Sequence, residues 1–288
     1  MAARKVAVSS TVKDLRARVA RWRRAGERVA LIPTMGALHD GHLELVRIAK
    51  QRCDRAVTSI FVNPAQFAPT EDFDKYPRTF EDDLAKLRTV GGDLVWAPQK
   101  SEMYPDGFAT KIVPAGAAEG LETDFRAHFF GGVATVCCKL FMQVLPDIAI
   151  FGEKDYQQLC VVTQMVRDLN LPLEILGVET VREPDGLAMS SRNRYLSTEE
   201  RARAVTIHHV ICKVAEAAAK GRGLDKAIND GRTALTAAGF APIDYIAVRD
   251  AATLRDWDRK SGRPSRVLAA AWLGKTRLID NMAVPGAG

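Results

Sequence analysis

His39 and His42 stand three residues apart with Gly41 between them, closing the segment Pro33-Thr34-Met35-Gly36-Ala37-Leu38-His39-Asp40-Gly41-His42. Far downstream, Met189-Ser190-Ser191-Arg192-Asn193 gathers two hydroxyls and a fixed cation just after Asp185-Gly186. Imidazole N–H groups, serine hydroxyls and a guanidinium are donors that phosphate oxygens accept. The apolar run Val29-Ala30-Leu31-Ile32 predicts a buried parallel strand that ends in a Thr and Gly turn. A helix then starts near His39, with Leu43, Val46 and Ile48 inward, and both histidines share one face of its first turn. Unpaired backbone N–H groups favour an anion there, and Gly41, without a Cβ, lets a flat base approach the backbone. The plain alternative is two unrelated histidines on a half-exposed helix start. A metal site ranks lower, since no third His or Cys stands at ligand spacing and the Glu of a zinc-protease helix is missing. A Ser-Ser-Arg segment alone reads as a solvated turn. Joined to the His-x-Gly-His turn, it reads as the second half of a triphosphate grip.

Other polar groups fall at strand ends. Arg55 to Val62 is a β-rich run, which puts Asn63 and Gln66 at its carboxyl end, where parallel α/β sheets hold their ligands. Amides there can fix a small hydroxy acid, although Asn63-Pro64 could equally just end the strand. Asp147-Ile148-Ala149-Ile150-Phe151-Gly152 predicts another buried strand, followed by a polar turn and a helix over Gln157 to Leu169. Lys154 can neutralise nucleotide phosphates and Asp155 can hold magnesium directly or through water. An exposed turn with a capping acid would look the same.

The paired phosphate motifs resemble the nucleotidylyl transferase superfamily, in which a His-x-Gly-His helix start and a downstream serine loop bearing Lys or Arg embrace ATP. Within it, the chain resembles the pantothenate synthetase (pantoate-beta-alanine ligase) family over almost its whole length. The blocks that carry this are Pro33 to His42, Phe61 to Phe67, Phe151 to Gln158 and Asp185 to Asn193, in matching order and spacing. The resemblance implies ATP-dependent condensation of pantoate with beta-alanine through a pantoyl adenylate, with magnesium accompanying ATP. It implies catalytic roles for His39, His42, Lys154, Ser190, Ser191 and Arg192. Further ATP contacts would come from Thr34, Met35, Gly36, Gly41, Gly152, Asp155, Val181 and Met189. Pantoate contacts would come from Met35, Asn63, Gln66, Tyr76, Gln158 and Arg126. Asp82 and Asp83 match a place where the family can bind magnesium, alongside Asp155, though early helical carboxylates are ordinarily dipole partners. One block departs: where the family tends to show Arg-Pro-x-His-Phe-x-Gly-Val, this chain has Arg126-Ala127-His128-Phe129-Phe130-Gly131-Gly132-Val133. Arg126 keeps its place as a carboxylate or pocket partner, while the histidine is displaced and the proline lost.

These groups need a scaffold that the rest of the chain can supply. With 288 residues and 47% hydrophobic content it can bury a full core and split in two. Alternating strand and helix patterns from Val29 to Thr180 predict an α/β domain over residues 1–180, a Rossmann-like parallel sheet with helices on both faces. Residues 181–288 change character. Helices are expected at Thr198 to Gly221, with Ala204, Ile207, Ile211, Val214 and Ala218 inward, and at Leu224 to Ala238. Strands are expected at Ile243 to Val248 and Arg266 to Ile279, with Gly274-Lys275-Thr276 as a hairpin turn. That makes a smaller α+β domain, a lid carrying the Ser-Ser-Arg segment, whose closure would exclude water.

No segment has the length of a membrane span, and Met1-Ala2-Ala3-Arg4-Lys5 lacks the apolar run of a secretion signal, so a cytoplasmic protein is expected. Cys53, Cys137, Cys138, Cys160 and Cys212 are scattered without C-x-x-C spacing and read as reduced core residues. No repeat or low-complexity tract appears beyond the terminal Gly-Ala-Gly. The net charge of +6 and the arginines at 16, 18, 21, 23, 24 and 28 invite a nucleic-acid reading. No aromatic interleaving accompanies them, and anionic reactants explain a modest positive field as well. The partners expected are therefore ATP, pantoate and beta-alanine, with a homodimer implied by the resemblance. Two rivals stay open: a nucleotidylyl transferase that makes a dinucleotide cofactor, and a nucleotide-binding subunit that has lost turnover.

Overall fold

A parallel strand buried on both faces reads as a continuous apolar run, and Val29–Thr34 has that character because it lies in the middle of a sheet. The computed structural model describes residues 5–68 and 71–286. Met1–Arg4 and the last two residues, on which the leader expectation and the terminal Gly-Ala-Gly partly rest, lie outside the described residues. The described chain divides into two compact units, residues 1–153 with 161–179, and residues 154–160 with 180–288.

In the first unit, β1 (Ala7–Ser9), β2 (Val29–Thr34), β3 (Arg55–Ile60), β4 (Leu94–Trp96), β5 (Ile148–Gly152) and β6 (Glu174–Val178) form one sheet in the order β1-β4-β3-β2-β5-β6. Every pairing in it is parallel. The helices are α1 (Val12–Arg24), α2 (Asp40–Arg52), α3 (Phe80–Thr89), the single turns α4 (Lys100–Met103) and α5 (Glu122–Phe125), α6 (Phe129–Val144) and, from residue 161 on, α7 (Tyr156–Asp168). Ala30 and Ile32 of β2 pack with Leu43, Val46 and Ala49 of α2 and with Leu84 and Leu87 of α3. Strand alternation sends Val29 and Leu31 to the other face, where α6 packs on β2 and α1 packs on α6. β1 and β4 are three residues each, too short to show a periodicity.

The second unit holds α8 (Thr198–Ala204), α9 (Thr206–Lys220), α10 (Leu224–Ala237) and an antiparallel sheet of β7 (Phe240–Asp250), β8 (Ser265–Leu273) and β9 (Thr276–Ala283). Ala204, Ile207, Ile211, Val214 and Ala218 are all buried in its core. The single helix expected over Thr198 to Gly221 is two helices that meet at Val205, whose ψ of −16° marks a locally tightened turn. A capping box starts α8: Ser197 Oγ accepts from the Glu200 N–H at 3.2 Å and Glu200 Oε2 accepts from the Ser197 N–H at 2.8 Å. Residues 154–160, which include Lys154, Asp155 and Gln158, cluster with this unit.

Candidate active site

β2 lies between β3 on one side and β5 on the other, so the order of the sheet reverses there, and parallel α/β sheets hold their ligands beyond the carboxyl ends of the strands at such a point, here β2 and β5. Thr34 and Gly152 stand at those ends. Thr34 Oγ1 donates to the Ser59 carbonyl at 2.6 Å and accepts from the Gly36 N–H at 3.2 Å, which tightens the turn. Gly36 has φ +81° and Ala37 φ +51°. Asp83, wholly buried at the start of α3, holds this left-handed stretch. Its carboxylate accepts from the N–H groups of Ala37 at 2.9 Å and Leu38 at 2.8 Å, and from the Thr79 hydroxyl at 3.2 Å.

The chain leaves that turn into α2 with His39 as N-cap. The His39 and His42 rings lie 4.1 Å apart between centroids, tilted by 39°. His42 Nδ1 accepts from the His39 backbone N–H at 3.4 Å. A neutral ring accepting at Nδ1 carries its proton on Nε2, so His42 is set as an Nε2–H donor. The buried face of α2 is Leu43, Leu45, Val46 and Ala49; Ile48, expected inward, is only half-buried. Asp82 is exposed while Asp83 faces backbone, so the two do not form the shared magnesium pair that the sequence invited. Among the described residues no cluster of three or more His, Cys, Asp or Glu side chains is arranged to hold a metal.

Past β3, Asn63 caps a short 3-10 turn at Pro64–Gln66. Its amide is buried and its hydrogen-bonding capacity is filled by protein. The Nδ2 group donates to Gln66 Oε1 at 3.1 Å and to the Gly132 carbonyl at 3.2 Å. Oδ1 accepts from the Ala65 N–H at 3.2 Å and the Tyr104 hydroxyl at 2.7 Å. An amide has two donors and two lone pairs, so nothing is left for a substrate. Asn63 instead orients Gln66, whose Nε2 also reaches Met35 Sδ at 3.2 Å. Gln66 keeps one N–H and one lone pair.

Gly132 lets α6 close on this turn, because a Cβ there would collide with the Ala65 carbonyl and meet Gln66 Cα at 2.8 Å. Arg126 forms two bonds of 2.7 Å with Glu71, donates to the Gln66 carbonyl at 3.2 Å and stacks 3.8 Å from the centre of the Phe129 ring. Its guanidinium is thus a carboxylate partner within the protein, to Glu71, and holds the backbone of the Gln66 turn. Burial pushes the Glu71 carboxyl up, but the Arg126 pair outweighs this and holds it below the usual range. Tyr76 is buried with its ring 6.1 Å from that of Phe67. His128 of the altered block takes the N-cap position of α6.

The sequence reading missed Tyr104. Nothing near it is a motif, and its contact with Asn63 spans 41 residues. Its burial raises the hydroxyl to about 12, so it stays a donor.

In the second unit, Lys154 and Asp155 lie in a 3-10 turn, with Lys154 Nζ 3.9 Å from Asp155 Oδ1. Asp155 is half-exposed. Gln158 is partly buried one residue past the fully packed Gln157. The Ser-Ser-Arg segment is an ordered 3-10 turn at Ser191–Tyr195 rather than an open loop. Ser190 caps it, with Oγ accepting from the Arg192 N–H at 3.2 Å, which leaves the hydroxyl proton for a ligand. Ser191 is buried. A hairpin leads into the turn: the Met189 N–H donates to the Val181 carbonyl at 3.0 Å and Arg182 bridges Ala188.

Residues 7–283 match the model of a family described as pantoate-beta-alanine ligase. The chain belongs to that family. Among curated relatives, the pantothenate synthetase of Mesorhizobium japonicum is 57% identical over 278 residues, covering 96% of this chain and 98% of that protein. The pantothenate synthetase of Caulobacter vibrioides is 54% identical over 276 residues, covering 95% and 97%. The crystal structure of pantothenate synthetase from Thermus thermophilus superposes with a TM-score of 0.88 at 46% identity, covering 97% of this chain and 99% of that one. The pantoate-beta-alanine ligase of Francisella tularensis, complexed with beta-gamma ATP and beta-alanine, superposes with a TM-score of 0.82 at 29% identity, covering 98% and 100%. Family membership fixes the fold class as the one the sequence implied, a parallel α/β sheet with a small antiparallel unit.

Proposed function

We propose that this chain joins pantoate to beta-alanine with conversion of ATP to AMP and pyrophosphate, and that the residues singled out above carry the reaction. The observation that supports this most is the ordered His39–His42 turn at the reversal point of the sheet, in a chain matched by the ligase family over residues 7–283. A pantoate carboxylate oxygen attacks the α-phosphorus of ATP, and the bond to the bridging oxygen breaks to release pyrophosphate. The amine of beta-alanine then attacks the acyl carbon, loses its proton and expels AMP. No protein nucleophile takes part. The protein must align the carboxylate in line with the leaving pyrophosphate and offset charge in the transition state. His39 and His42 in the first unit, with Lys154, Ser190, Ser191 and Arg192 in the second, are assigned to the phosphates. Gln66, set by Asn63 and Met35, is assigned to pantoate with Gln158. ATP is taken as its magnesium complex, a substrate whose metal Asp155 can meet through water. The family resemblance further supports a cytoplasmic homodimer, which light scattering at twice 31.6 kDa would register.

Exchange of labelled pyrophosphate into ATP with pantoate present and beta-alanine absent tests the first step. Exchange that requires pantoate is expected, and Lys154→Ala should lower its rate about a hundredfold while ATP affinity changes far less. Tight ATP binding without exchange, or equal losses of rate and affinity in the variant, would overturn the assignment.

A further inference from the structure

We infer that Asp280 and Asn281, adjacent on β9, are positioning residues that set Lys154 and the Ser190–Arg192 turn for the nucleotide. The inference rests on the assignment of those two segments to ATP. Neither residue belongs to any motif, and both are buried, at 2% and 3% exposure. Successive strand residues point to opposite faces, and these two take hold of two different segments.

Asp280 reaches Arg182 at the root of the hairpin that precedes Ser190, with bonds of 2.8 Å to Nη1 and 3.0 Å to Nη2. The same guanidinium donates to the Gly186 carbonyl at 3.0 Å, near the hairpin tip, and to the Asn281 carbonyl at 3.3 Å. His208 on α9 stands 3.6 Å from Asp280 on its other side. Gly186 admits this ring, since a Cβ there would come within 2.6 Å of His208 Cδ2. The hairpin is therefore held at root and tip by one fork, and Ser190 follows directly from it.

Asn281 donates from Nδ2 to the Lys154 carbonyl at 2.8 Å and accepts at Oδ1 from Arg266 Nε at 2.6 Å. Arg266 lies 3.8 Å from the centre of the Tyr156 ring, and Tyr156 donates to the Ala251 carbonyl at 2.9 Å. The turn bearing Lys154 is thus held at the lysine's own carbonyl and again two residues on, at Tyr156. A buried ion pair gives little net stability over well-packed apolar residues, so its use here fits a role in fixing geometry. A one-residue shift of β9 would release both segments together.

Asn281→Asp treats the two contacts differently: it keeps the acceptor for Arg266, now as an ion pair, and puts an acceptor-only carboxylate oxygen where Nδ2 donated to the Lys154 carbonyl. The expected result is an exchange rate about tenfold lower per folded enzyme, with KM for ATP changed less than about threefold; the added buried carboxylate also lowers the thermal midpoint, so rates are compared per folded enzyme. In a Lys154→Ala background the same change should have almost no further effect on rate. Additive losses in the double variant would show that Asn281 does not act through Lys154 and would overturn the inference. No effect of Lys154→Ala by itself would instead overturn the ATP assignment beneath it, which is a distinct outcome. Arg182→Lys supplies an independent arm, keeping the charge beside Asp280 but losing the fork. It should raise KM for ATP about tenfold, and this loss should vanish in an Arg192→Ala background; additivity there overturns the hairpin half.

Discussion

Asn63 shows how a residue can matter to a pocket without meeting its ligand. Its amide satisfies the Ala65 N–H, the Tyr104 hydroxyl, the Gly132 carbonyl and the Gln66 amide oxygen at once. Removing one member of a buried polar network leaves others unsatisfied, which costs more than the bond itself. Tyr104→Phe deletes the hydroxyl that Asn63 Oδ1 accepts from and should cost about 1–2 kcal/mol in urea denaturation. The loss should appear as a raised KM for pantoate with KM for ATP nearly unchanged. Because burial lifts this phenol to about 12, its contribution is whole below the ordinary tyrosine value of 10.0 and fades as pH rises through about 12. An ultraviolet titration of parent and variant should differ by one late-ionising tyrosine.

At the scale of elements, the histidine turn depends on a helix that supplies no histidine. Asp83 of α3 accepts from two backbone N–H groups just before α2, where Gly36 and Ala37 both have positive φ. Asp83→Asn offers a single acceptor oxygen to those donors and leaves one of them unpaired. A stability loss of about 1–3 kcal/mol is expected, with a fall in exchange rate that added magnesium does not restore. Restoration by magnesium would return Asp83 to the metal role first expected of it. The α6 contact is equally local. Gly132→Ala drives a Cβ into the Ala65 carbonyl, must push the helix off the Gln66 turn and should cost about 1–3 kcal/mol, read from thermal unfolding beside pantoate affinity.

Across the whole molecule, charge is handled by pairing. Of the basic run, Arg18 bonds Asp14 within α1, while Arg23 bonds Asp147 and the Leu145 carbonyl and Arg16 reaches the Met142 carbonyl, so two of the arginines that invited a nucleic-acid reading tie α1 to the segment around the end of α6. Asp280 is pushed up by burial, but His208 and Arg182 outweigh this and hold it below the ordinary aspartate value of 3.8. Glu71 is likewise held below 4.5 in the other unit. A carboxyl with a depressed folded pKa contributes stability that is present above its unfolded value and lost as pH falls through the folded one. Stability should therefore decline below about pH 4.5 and keep declining through the acid range. Asp280→Asn should cost about 2–3 kcal/mol at neutral pH and flatten that acid decline, as followed by denaturant midpoints across pH. An unchanged acid slope in the variant would contradict the pairing.

Much of this protein is determined by sequence alone because the deciding interactions are local. The Val29–Ile32 run, the His39–His42 spacing, the Ser190–Arg192 segment and the apolar face from Ala204 to Ala218 each lie within a few residues and follow the period of one strand or helix. Strand order, the closure of Asn63 by Tyr104 and Gly132, the use of Asp83 as a backbone acceptor and the commitment of Arg126 to Glu71 could come only from the tertiary structure. So could the placing of Asp280 and Asn281 beside Arg182 and Lys154, across 98 and 127 residues of chain. Residue type says that a carboxylate or amide must find partners when buried; which partners it finds depends on what folding brings within about 3 Å.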